Sequence, residues 1–211
     1  LYEGWFEYLP ATGFSIQAGR QQLKYDDQRL LAAPNWSNTG TTHDALVLKY
    51  SSPFIQVHAG GAYNNSKDTL MQVAYAYTAK QNYKALGYLW FSKPIYKGLN
   101  LSLIGVCDGF EKTYTSDEKV YSVKVVKKKV AIDSSTYVTK TDYKTVYPRV
   151  TFGGNLVFAN DSCPLAATLT GYLQKGKDPN KKNGKSLADL NAFFFAARVS
   201  YKVTSLFTPM V

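Results

Sequence analysis

The stretch GRQQLKYDDQRLLAAPNW, residues 19–36, sets Arg20, Asp26, Asp27 and Arg29 around Tyr25 and a short apolar run, and it closes on Trp36. Three kinds of chemistry use such a set. Two carboxylates act as general acid and base when they flank one bond. Adjacent Asp26 and Asp27 on an extended chain point in opposite directions and so do not flank one. Two aspartates and a loop carbonyl also offer the hard oxygens that calcium takes, but the alternate-acid spacing of a dedicated calcium loop is lacking. In the third reading, Arg20 or Arg29 pairs with Asp26, Asp27 or Asp44 and fixes a loop over or into an aqueous lumen. The same charges would then set selectivity at a constriction. The choice depends on the elements that carry the stretch.

The rest of the chain is poor in reactive groups. Cys107 and Cys163 have no metal spacing, and His43 and His58 are too few for a histidine metal site without help. There is no serine–histidine–acid set, phosphate loop or metal cluster with sound spacing, so no enzyme activity, metal or cofactor is expected. The formal charge of +10 suits an anionic partner such as an acidic polysaccharide, phosphate or lipopolysaccharide. A solvated basic surface accounts for the charge equally well. Nucleic acid is not expected, because nothing resembles an RNP aromatic pattern, a zinc finger or a helix-turn-helix.

Aromatic residues make up 15 % of the 211 residues, with 17 Tyr and 11 Phe, yet the mean hydropathy is only −0.25. That combination suits strands with one apolar and one wet face. No window approaches the roughly 20 apolar residues of a membrane helix, which a β-barrel does not need. Alternation of period two recurs along the chain. In residues 165–174, Leu165, Ala167, Leu169 and Leu173 oppose Thr168, Thr170, Tyr172 and Gln174. In residues 193–203, Phe193, Phe195, Val199 and Tyr201 oppose Arg198, Ser200 and Lys202.

The pattern predicts ten strands, at 1–9, 14–24, 43–50, 54–63, 83–93, 99–109, 145–158, 164–175, 187–203 and 206–211. Short links at 10–13, 51–53, 93–98, 160–164 and 204–205 alternate with long ones at 25–42, 64–82, 110–144 and 176–186. Short turns on one side and long loops on the other are the pattern of outer-membrane barrels. A soluble β-sandwich also alternates, but its strands would not carry Arg, Lys, Gln and Asn deep on one face and Phe, Leu and Tyr on the other. The expected class is all-β, an antiparallel transmembrane β-barrel.

Parity assigns the charged residues. Lys49, Arg149, Arg198 and Lys202 share a face with polar neighbours and point into the lumen. Such cations favour anions in a pore, unless each neutralises an inward carboxylate such as Glu3, Glu7 or Asp108. Arg20 shares a face with Phe14 and Ile16, toward lipid, so it needs either a bulge at Gly19 or a place at the rim. Tyr2, Tyr8, Tyr50, Tyr63, Trp90 and Tyr201 are expected in the interfacial girdles. Residues 120–147 alternate like a hairpin continued beyond the membrane, where Lys124 and Lys127–Lys129 would meet lipopolysaccharide phosphates or only solvent. Cys107 and Cys163 belong at opposite ends of the barrel, so no disulfide is expected.

Gly19-Arg20-Gln21, Tyr25-Asp26-Asp27-Gln28-Arg29-Leu30, Trp36 and Asp44 resemble, in this order, the signature of the alginate export family of bacterial outer-membrane β-barrels, especially its Bacteroidetes members. Residues 82–93, 149–154 and 171–202 extend the likeness along the chain. The resemblance implies a monomeric barrel of roughly 18 strands, about twice those read here. The chain would then be a single domain over 1–211, incomplete at one or both ends. It also implies the bacterial outer membrane, a lipid and lipopolysaccharide environment, and passage of an anionic polysaccharide through an arginine-lined lumen. The Lys-, Tyr- and Val-rich segment 110–144 is an elaboration of this chain, so substrate identity does not carry over. A general or phosphate-type anion porin and a plugged barrel serving as a structural subunit among outer-membrane partners stand as alternatives.

Overall fold

The computed structural model describes residues 3–33, 41–63, 83–126, 129–183 and 186–202. Within them, β1 (Gly4–Ala11), β2 (Phe14–Gln21), β3 (His43–Ser51), β4 (Gln56–Tyr63) and β5 (Ala85–Tyr96) are followed by β6 (Leu99–Val126), β7 (Lys129–Asn160), β8 (Cys163–Asn183) and β9 (Ser186–Tyr201). Every strand pairs antiparallel with the next, in chain order, in one nine-stranded sheet. Among the described residues the sheet is open, with β1 and β9 at its two edges. This is the up-and-down connectivity of the barrel class. The expected strand at 206–211, like Trp36 and Tyr2, lies outside the described residues.

The two ends of the sheet differ as the link lengths imply. At one end the turns are tight. Gly13 and Gly98 take φ of 78° and 76° there, a region that L side chains rarely enter. A Cβ on either would also lie 2.5 Å from a carbonyl oxygen of the strand beyond the hairpin, Ser51 for Gly13 and Ala159 for Gly98. The same close approach is used for bonding, since the Ser51 amide donates to Gly13 O and the Ala159 amide to Gly98 O, both at 2.7 Å. The expected link at 93–98 shrinks, because β5 continues to Tyr96.

At the other end, two of the expected long loops are strand. The segment 110–144 continues β6 and β7 as one hairpin, and 176–186 continues β8 and β9. A tilted membrane strand needs about 9–11 residues. With 28 residues in β6 and 32 in β7, the hairpin runs on from Phe110, roughly 55 Å at strand rise. Its register shifts between Glu111/Lys112, Thr115/Lys119 and Ser122/Val123 mark where the ladder adjusts.

Burial separates a membrane barrel from a soluble sandwich. Gln17, Gln21, Ser102, Thr151, Asn155 and Thr170 are buried, whereas Phe193 is 84 % and Phe195 69 % exposed. The polar residues form the inner face, and the outer face is a band of Phe, Leu, Ile, Val and Ala. A water-soluble sheet would bury that band. Exposed Tyr8, Tyr50, Tyr63 and Tyr201 sit near the strand ends of the outer face. Trp90 corrects the girdle expectation: it stands in register with His58 and Ile104 on the inner face, in a row that a loop covers. Cys107 and Cys163 are both free and lie toward opposite ends of the sheet.

Leu169 lies mid-strand on the outer face, in register with Leu156 and Ala197. Replacing it with Arg is expected to lower the folding free energy in lipid vesicles by about 2–4 kcal/mol. Urea titration of the refolded protein measures this, and a loss well under 1 kcal/mol would show that the face does not meet hydrocarbon.

Candidate functional site

Residue pairing across the sheet creates continuous rows on the inner face. In one row Lys49, His58, Trp90, Ile104, Gly153, Tyr172 and Phe194 lie directly opposite one another, from β3 to β9. The loop that leaves β2 turns inward and docks on this row. Tyr25 Oη lies 3.0 Å from His58 Nδ1 and 3.0 Å from Tyr88 Oη. Trp90 Nε1 donates to Asp26 Oδ1 at 3.0 Å. Tyr172 Oη donates to Asp27 Oδ1 at 2.9 Å, and Arg29 Nε donates to Asp27 Oδ2 at 2.7 Å. The Arg29 guanidinium then covers the Phe194 ring at 4.4 Å, a cation–π contact.

This docking explains the local sequence. Adjacent aspartates must reach opposite ways, Asp26 to β5 and Asp27 to β8. Asp26 and Gln28 take φ of 51° and 58°, a left-handed conformation that costs a non-glycine residue of order 1 kcal/mol or more. The bond from Gln28 N to Tyr25 O at 2.9 Å closes the turn. Apolar packing holds its shoulders, since Leu23, Leu31 and Ala33 are all buried. Leu23 and Leu31 join Val47, Tyr88, Ile104, Val106 and Tyr172 in a single cluster. Strands β5 and β8 stand three strand spacings apart, about 14 Å on a flat sheet. Neighbouring aspartates bond to both, so the wall wraps around the loop.

Two glycines make room. Gly60 lies opposite Tyr88, and Gly153 opposite Tyr172. A Cβ on Gly60 would sit 2.6 Å from the Tyr88 hydroxyl, and one on Gly153 would sit 2.8 Å from Tyr172 Cα. Both tyrosines therefore lie across bare backbone, the same two that hold Tyr25 and Asp27. Burial pushes the Tyr25 hydroxyl above its ordinary pKa, so it serves as a neutral hydrogen-bonding group. Asp26 Oδ2 is buried and has no hydrogen-bond partner among the described residues.

The residues singled out from the sequence fall into three sets. Asp26, Asp27 and Arg29 come together in the docked loop. Arg20 and Asp44 do not join them, which corrects their grouping as one constriction. They pair bidentately across β2 and β3, both contacts at 2.8 Å, on the outer face at the long-loop end. The register of β1 with β2 is regular at Gly19 and Arg20, so Arg20 is a rim residue and no bulge turns it inward. The third set is the inward cations. Lys49 bonds Glu7 at 3.3 Å and also Gln17. Arg149 forks onto Asp108 and stacks over Phe110 at 4.6 Å. Arg198 faces inward opposite Thr168, exposed and without an ion-pair partner among the described residues. Lys202 follows β9 and is exposed, with its amide bonded to Pro164 O at 2.8 Å.

Sequence reasoning missed the receptors of the loop, namely His58, Tyr88, Trp90, Tyr172 and Phe194. Their signal was weak but present: aromatics on the polar face of strands, two of them opposite glycines. A membrane barrel wall with an inward-folded loop defines the class. Residues 1–69 match the family model for alginate export, which supports an alginate export family protein and, in general terms, an outer-membrane export channel. That segment contains β1 to β4 and the whole docked loop, including the motif on which the sequence resemblance rests. No curated protein matches the chain.

Combining Asp27→Ala with Tyr172→Phe removes charge-assisted hydrogen bonds worth about 1.5–3 kcal/mol. The undocked population of the loop is then expected to rise by roughly tenfold to a hundredfold. Trypsin cleavage after Lys24 and Arg29 in the folded protein should accelerate correspondingly. An unchanged cleavage rate would mean that the row does not hold the loop.

Proposed function

We propose that the chain forms the wall of an outer-membrane channel that passes a hydrophilic, anionic solute or polysaccharide, and that residues 22–33 narrow it from within. One observation carries the reading: Tyr25, Asp26, Asp27 and Arg29 dock on a single inner row, placing a charged turn in the path of a solute. The anion preference rests on Arg198 and Lys202, because Lys49 and Arg149 are already compensated by Glu7 and Asp108. The polar inner face fits a hydrated cargo.

A second reading has an observation of its own. Leu23, Leu31 and Ala33 are buried as deeply as core residues, so the loop also suits a permanent plug in a barrel that serves as a scaffold for outer-membrane partners.

Planar-bilayer recording of the intact protein under a salt gradient separates the two. The channel reading expects an anion-selective current, a reversal potential that moves toward the cation side in Arg198→Glu, and a larger conductance when residues 24–31 are deleted. Verified folded protein that carries no current until residues 24–31 are deleted would leave the plugged scaffold.

A further inference from the structure

Between the base of the docked loop and the inner faces of β1 to β4 lies a groove of about 320 Å³. It falls at the small end of ligand sites, room for one or two sugar rings. Its lining combines two features. One is an aromatic platform. Trp5 stands opposite Gly19 on the inner face and is 48 % exposed, and its ring meets no other aromatic ring among the described residues. Tyr25 and His58 close the far side and are already packed on each other and on Trp90. The other feature is hydrogen-bonding capacity without surplus charge. Gln17 lines the groove beside Lys49, whose ammonium bonds both Gln17 and Glu7. Glu3 and Lys24 complete the charged lining.

Little net charge is left to a ligand: Lys49 is paired with Glu7, which does not itself line the groove, and Lys24 stands against Glu3. A uronate held here would find no uncompensated cation other than Lys24 and would face the Glu3 carboxylate, which has no partner among the described residues. An uncharged pyranose meets no such penalty. Its C–H face can cover the Trp5 ring, and its hydroxyls can exchange hydrogen bonds with the Gln17 amide, the Lys49 ammonium and the Glu3 carboxylate.

We propose that this groove binds an uncharged pyranose unit of the cargo, a sugar-binding step on the channel wall beside the constriction. The inference rests on the channel reading. It reconciles a basic pore with a neutral site if the cargo polymer mixes charged and uncharged sugars.

The test is single-channel recording of the intact protein, with hexamers of neutral glucan, mannan and galactan added in turn, and hexagalacturonate as the anionic comparison. At least one neutral hexamer should interrupt the current transiently at concentrations where hexagalacturonate interrupts it less. Trp5→Ala should weaken that block by roughly fivefold or more, and Trp5→Phe should retain most of it. Current without block by any neutral hexamer, stronger block by hexagalacturonate, or block indifferent to Trp5→Ala would each overturn the site while leaving the channel intact. Absence of current before any sugar is added would instead remove the channel reading. Tryptophan fluorescence titration of detergent-folded protein with the same hexamers then decides the groove by itself: a change lost in Trp5→Ala upholds binding, and no change with any neutral hexamer overturns it.

Discussion

A backbone amide left unpaired in hydrocarbon costs several kcal/mol, and the whole architecture follows from avoiding that. From β1 to β9 the ladder passes without interruption from each strand to the next in chain order. Side chains are then forced into strict alternation, because the pleat sends neighbours to opposite faces. Lipid claims one face and fills it with Phe, Leu and Val. The other face takes most of the polar groups in the strands, and the Arg20–Asp44 pair on the outer face lies at the rim. The inversion, with Gln17 and Asn155 buried and Phe193 bare, is a consequence of the solvent on the outside and not of any single contact.

The inner face is thereby left as a set of rows fixed by register. One of them serves as the seat of the loop. The motif Tyr25-Asp26-Asp27-Gln28-Arg29 is short, yet it touches β4, β5, β8 and β9, and it does so because the sheet curls around it. Its charges are spent mainly on attachment. Asp27 is shared by Tyr172 and Arg29, and Arg29 covers Phe194. On the proposed channel reading, the residues that would narrow the path are the same ones that fasten the loop to the wall. Glycine takes part by absence: Gly60 and Gly153 leave open backbone for the two tyrosines that receive the loop.

Electrostatics along the wall is graded by pairing. Arg20 and Asp44 satisfy each other at the rim, where an isolated arginine facing lipid would be costly. On the inner face Arg149 is tied to Asp108, and Lys49 to Glu7. Of the four inward cations, the two without an ion-pair partner among the described residues, Arg198 and Lys202, lie on and just beyond β9, near the short-turn end. The basic excess of the sequence is thus distributed very unevenly in space, and a neutral groove can coexist with a basic chain.

Much of the fold was legible in the linear sequence. Alternation located each of the nine described strands, as with Leu169 against Thr170, because the two-residue pleat writes itself directly into hydropathy, although β6, β7 and β8 run well past their expected ends. Link lengths told the tight end from the long end for the same local reason. The projecting hairpin at 110–144 was only half legible, since a loop and a strand that run on past the membrane look alike in sequence. Adjacency in the sequence sends Asp26 and Asp27 apart, but a partner of theirs lies as far as 145 residues away in the chain. Parity put Arg20 on the outer face, whereas only its regular pairing with Asp44 chose the rim over a bulge. Trp90 was misplaced because an aromatic near a strand end looks the same whether it meets lipid headgroups or a loop. What the sequence determined by itself is therefore periodic and local: strands, faces, turns and the sign of the charge. Only the tertiary structure decided which cations are paired and where the loop lies, because both depend on the curvature and register that bring strands distant in the chain around the same few residues.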